Sequence, residues 1–144
     1  MPRSVVVVAG DVLASVDLDE GLVRSILPRV RPQDIAIRVG PVWFRPFWGR
    51  RIAAIALPWG IYVRPAVMDR LRSGSEPVRN ARLIFHELVH LEQWRRLGGM
   101  RLIARYSSDY LRGLVRTRSH WEAYRGVRTE VEARAAALLV VGPG

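Results

Sequence analysis

The 144-residue chain contains neither cysteine nor lysine. Without cysteine it forms no disulfide and offers no thiolate to a metal, so any metal must be held by histidine nitrogen and carboxylate oxygen. Without lysine, all 23 basic residues are arginine, and against 13 acidic residues they leave a formal charge of +10. A basic chain invites a nucleic-acid reading. Yet the arginines are spread from Arg3 to Arg134 rather than gathered in one block. The loss of lysine beside plentiful Ala, Val, Gly and Leu points to coding bias more than to phosphate contacts.

Long apolar runs are missing too. The run before Gly10 and Asp11 is too short for the core of a secretory leader, and acidic residues follow it closely. No stretch approaches the ~20 apolar residues that a membrane span requires. The apolar segment from Ile52 to Val63 is broken by Pro58 and Gly60 and flanked by Arg51 and Arg64. These absences lead us to expect a cytoplasmic chain with no membrane span. Its length suits one domain, residues 1–144, and its hydrophobic share of 49% supplies an ordinary core.

Periodicity predicts a helix over Asp17–Val30, with Leu18, Leu22, Ile26 and Val30 on one face and Pro28 limiting the last turn. Ile35, Ile37 and Val39 alternate as in a strand ended by Gly40, and strands are expected over Ile52–Leu57 and Ile61–Val63 about a Pro-Trp-Gly turn. Between them, Trp43, Phe44, Phe47 and Trp48 read as an apolar loop or edge hairpin. Ser75, Glu76 and Pro77 form a helix entry, with Ser75 as the capping hydroxyl, and Gly98-Gly99 the exit. A second helix is expected over Met100–Arg116 with Leu102, Ile103, Tyr106, Tyr110, Leu111 and Leu114 inward. A third runs over Thr129–Val141, after a short turn at "HWEAYRG". Strands precede helices, so the fold class is α+β: a small N-terminal sheet with helices, then two helices that carry the chemistry.

Histidine is also scarce, with three in all. Two of them fall in "LIFHELVHLEQW", which contains H-E-x-x-H. Four residues apart on a helix, His86 and His90 lie on one face and can direct both imidazoles at one metal. Glu87, one position round, reaches a water rather than the metal, which makes it a general base. The bland alternative is a core helix with two histidines by chance. Such strings arise in on the order of one in three hundred chains of this composition. Here the flanking residues are apolar on nearly every side, so His86, Glu87 and His90 would be buried together. That costs several kcal/mol unless a metal satisfies them. The reading that survives is one zinc ion per chain.

A further protein ligand must come from Glu92, Asp109, His120, Glu122, Glu130 or Glu132. Glu92 faces away from the pair. Glu132, three residues after Thr129, fits a capping box at the start of its helix. Glu130 shares a face with Val127, Ala133 and Ala137, small enough for another helix to approach closely. It is the preferred ligand, with a salt bridge to Arg134 as its bland alternative.

The runs "LIFHELVHLEQWRRLG" and "WEAYRGVRTEVEARAAA" resemble an uncharacterised bacterial branch of the gluzincin metallopeptidases, the small minigluzincins in particular. The resemblance spans about Leu83–Leu138. It implies that Glu130, two residues before Glu132-Ala133, joins His86 and His90 as a metal ligand. It also implies a peptide or protein substrate laid along an edge strand, Ile52–Leu57 or Ile61–Val63. Related membrane-linked gluzincins often carry an aspartate four residues after the glutamate ligand, bonded to a zinc histidine. This chain has Arg134 there, so another group must orient the histidines, with Asp109 or a backbone carbonyl as candidates.

The expected activity is peptide-bond hydrolysis by a metal-activated water, with Glu87 as base and Tyr106, Tyr110 or His120 stabilising the oxyanion. Two alternatives stand beside it. One is a non-catalytic basic module, stapled by zinc, that binds nucleic acid or protein through its charge and exposed aromatics. The other is a DNA-associated protease.

Overall fold

The computed structural model describes residues 6–41, 53–119, 123 and 126–142. Four short strands form one sheet in the order β1-β2-β4-β3: β1 Val7–Val8, β2 Ala36–Val39, β3 Ala54–Leu57 and β4 Gly60–Val63. β1 pairs antiparallel with β2, β2 parallel with β4, and β3 antiparallel with β4 through the tight Pro58-Trp59 turn. Among the described residues six α-helices accompany the sheet. They are α1 Ala9–Ala14, α2 Glu20–Ile26, α3 Pro65–Ser73, α4 Pro77–Leu97, α5 Gly99–Thr117 and α6 Arg128–Val141. The fold is α+β, with the sheet built from the N-terminal half and the long helices following it.

The core lies between the sheet and α4. Ile37, Ile61 and Val63 of the sheet meet Ile84, Phe85, Leu88 and Leu91 of α4, all buried, with α1 and the small residues Ala133 and Ala137 of α6 closing the remaining sides. The alternation that marks β2 in the sequence puts Ile37 inside and leaves Arg38 in water.

Several boundaries differ from expectation. The helix expected over Asp17–Val30 is only α2, because the Asp19 carboxylate accepts the Leu22 amide at 3.0 Å and so starts it late. Helices α1 and α3 were not foreseen, being too short to show a periodic face. At the entry to α4, Ser75 does not cap. Glu76 holds the cap position in the left-handed region at φ 52°, and Ser75 Oγ instead lies 3.0 Å from Ser73 Oγ. On α5, Leu102 is buried as expected, but Ile103 and Leu111 point into water. Helix α6 starts at Arg128, so Thr129 is inside its first turn rather than at its cap. The capping box is therefore not formed: Glu132 reaches Arg96 of α4 at 3.1 Å. The aromatics Trp43, Phe44, Phe47 and Trp48, residue Ile52 and most of the "HWEAYRG" turn lie outside the described residues.

Candidate metal centre

Helix α4 places His86 and His90 one turn apart on the side that faces α6, and α6 presents Glu130 from its first turn. The two helices come close because α6 offers only Ala133 and Ala137 beneath Glu130, and both alanines are buried. The Nε2 atoms of the two histidines stand 3.1 Å apart. Each is 3.1 Å from a different oxygen of Glu130, His86 from Oε2 and His90 from Oε1. The three residues form a cluster whose ligand atoms all fall within 4.8 Å of one another.

The spacing tests whether a metal fits. A tetrahedral ion with bonds of ~2.0–2.1 Å has ligand atoms about 3.3–3.4 Å apart, and relaxation of a few tenths of an ångström brings this cluster to that separation. The donors fit as well. Buried Gln93 donates from Nε2 to the Thr129 carbonyl at 2.9 Å, so its other atom, Oε1, faces His90 Nδ1 at 2.8 Å. A carbonyl oxygen there requires a proton on Nδ1, which leaves the lone pair of the neutral imidazole on Nε2, aimed at the cluster. His86, His90 and Glu130 can hold a metal ion.

Gln93 is thus the group that orients His90, and it also ties α4 to the backbone beside Glu130. Sequence reasoning passed over it. Its signal was a glutamine three residues after the second histidine, on the same face of a helix too apolar to leave it in water. The orienting role considered for Asp109 does not hold. Its carboxylate accepts from Arg128, from the backbone amide at 3.2 Å and Nε at 2.9 Å, and so caps the start of α6. Glu92 turns away from the cluster as expected and binds the Arg29 amide and guanidinium, each at 3.0 Å.

Electrostatics sharpen the contrast between the two acids. Burial opposes the charge of Glu130, but hydrogen bonds with His86 and His90 hold its carboxyl well below the ordinary range. Burial also opposes a charge on His90. In the metal-free chain the Glu130 hydrogen bond and the charges of Glu87 and Glu130 outweigh it, raising His90 to about 9. Glu87, 5% exposed, is pushed up by burial against the pull of both histidines and of a hydrogen bond from the Ala56 amide. Ala56 sits on the outer edge of β3, at a pairing position where its backbone groups point away from β4. Its carbonyl accepts from Trp94 Nε1 at 3.2 Å, so α4 is bonded to this edge from both sides of Ala56.

Of the residues considered for the oxyanion, Tyr106 lies within electrostatic reach of Glu130. Burial first, then Glu130 and Tyr110, push its hydroxyl up to about 12, so it stays a donor. Tyr110 neighbours it on α5, half-buried. His120 and Glu122 lie outside the described residues. Comparison with protein-family models, with curated proteins and with solved structures found no match, so the identity of this centre rests on its own geometry.

Proposed function

We propose that the chain is a zinc metallopeptidase of gluzincin type, with His86, His90 and Glu130 as ligands. The observation that carries the reading is the position of Glu87. It is a buried carboxylate one residue from a ligand histidine, raised in pKa and held by the edge of β3. A purely structural metal needs no such acid, and a closed structural site would use four protein ligands. Among the described residues three converge. Zinc is favoured because two imidazoles and a carboxylate suit it, with a position left for water.

Bound zinc would supply a Lewis acid that acidifies a water and polarises a peptide carbonyl. Glu87, next to the pair, takes the proton of the attacking water and returns it to the leaving amine. Its raised pKa brings it closer to the pH at which such a shuttle works in both directions. Tyr106 keeps its proton and is the donor for the developing oxyanion. The substrate strand would run beside β3, the edge of the sheet nearest α4, taking the place of Trp94 and Glu87 on the backbone of Ala56.

Glu130→Ala should lose zinc, and Glu87→Gln should keep zinc while abolishing cleavage of a mixed peptide library read by mass spectrometry. A native protein purified without zinc and unable to bind it would refute the metal. Undiminished cleavage by Glu87→Gln would refute the mechanism.

A further inference from the structure

Helix α5 buries only Leu102 and Gly113. Tyr106, Asp109, Tyr110 and Leu114 are half-buried beside them, and seen along the axis at ~100° per residue the exposed surface divides into two adjoining strips. One strip, about a third of the circumference, carries Met100, Ile103, Leu111 and Val115, exposed at 88%, 57%, 58% and 79%, with Ala104 and Ser107 between them. The other carries Arg101, Arg105, Arg112 and Arg116, all exposed. None of these four arginines makes an ion pair with another described residue. The only acid on the helix, Asp109, is turned to Arg128 of α6. The apolar strip and its arginine border run the same length, roughly 22 Å from Met100 to Val115 at ~1.5 Å per residue.

Each strip limits what can cover it. A nucleic acid would neutralise the arginines but leave Met100 and Val115 in water. An apolar protein surface would cover those two but leave the row of arginines unmatched. An anionic lipid surface satisfies both at once: apolar side chains enter the headgroup–acyl boundary while arginines reach phosphate on their border. A single convex helix lying in the plane of the interface suits that flat partner, whereas no groove is needed. We propose that the outer face of α5 is a membrane-docking surface that seats the chain on bilayers rich in anionic lipid. The inference does not depend on whether the metal centre is catalytic.

Flotation with vesicles tests it. The full chain should float with phosphatidylcholine vesicles containing about a third phosphatidylglycerol and remain behind with phosphatidylcholine alone. Leu111→Asn together with Val115→Asn should weaken that binding more than tenfold, because apolar burial is lost at two exposed positions that contribute little to the fold. Arg105→Gln and Arg112→Gln should each weaken it about fivefold. Circular dichroism of each variant should match the parent. Failure of the parent to float would overturn the proposal. So would binding that survives the double asparagine variant, which would be simple adsorption of a cationic chain. A stable dimer in solution that the same double variant dissociates would assign the face to a second copy and overturn it as well.

Discussion

Helices α4 and α5 are consecutive, 21 and 19 residues long, and separated by the single residue Gly98. Both mix arginine with Leu, Ile and aromatic residues. Yet α4 buries ten residues and α5 two. The difference comes from their neighbours. The sheet, α1, α3, α5 and α6 all pack on α4, whereas α5 rests mainly on α4 and α6. Arg79, Arg95 and Arg96 of α4 reach water, but the polar groups on its enclosed faces cannot, so each of those must find a partner. Asn80 binds Arg70, Glu92 binds Arg29, and Gln93 bridges His90 to the Thr129 carbonyl. The same confinement that makes a polar residue costly on α4 makes it precise, and the candidate metal centre is built from that precision. On α5 Asp109 is paired in this way with Arg128, while its outer face, from Met100 to Val115, meets no other described residue in an ion pair.

The sharpest way to break this comparison is truncation in α4. Leu88→Ala removes a fully buried side chain beside the sheet and should cost about 2–5 kcal/mol in denaturant unfolding. A loss below about 1 kcal/mol would mean that α4 is not enclosed as described. Next in size is Gln93→Ala. With His90 no longer oriented and the Thr129 carbonyl stripped of its donor from α4, zinc affinity measured against a competing chelator should fall about 10- to 100-fold. Unchanged affinity would show that the bridge is incidental.

A smaller effect is expected where α6 begins. The Arg128 side chain holds the Asp109 carboxyl below its ordinary pKa. A depressed carboxylate contributes stability above its unfolded value, ~3.9, and loses it as pH falls through the lower folded value. Asp109→Asn keeps an oxygen for the Arg128 amide but removes the charge at the start of α6, and should lower stability at neutral pH by about 0.3–1 kcal/mol. Its melting curve should converge on the parent's in strong acid. A gap that is constant from neutral pH down would reject the charge-based account. Least of all should Leu111→Asn on α5 matter, within about 0.5 kcal/mol in the same unfolding assay. A larger loss would place Leu111 in a contact the fold needs.

Reading the sequence located the elements with strong periodicity and missed those that depend on contact. The histidine pair and most of the span of α4 follow from spacing, as does the inward face of Ile35 and Ile37, though Val39 of the same alternation is exposed. The preference for Glu130 over Glu132 follows from the small residues sharing its face. The start of α6 did not. The Thr-x-x-Glu pattern is a local signal, and two long-range bonds overrode it: Asp109 takes the first amide of α6, and Arg96 draws Glu132 outward. The inward assignment of Ile103 and Leu111 failed for a related reason. Apolar spacing shows that a face exists but not whether anything packs on it. Gln93 escaped notice because a polar residue among apolar ones carries its meaning in the partner, and Thr129 lies 36 residues away.

The distance along the chain between ligands has its own consequence. Glu130 follows His86 by 44 residues and sits on the last of the long helices. During synthesis both histidines leave the ribosome well before their carboxylate partner exists. Until α6 has been made and docked, the cluster offers two nitrogens alone, one donor short of the set that could hold a metal ion. Under the proposed function, capture of the metal and completion of the fold would therefore become one late event.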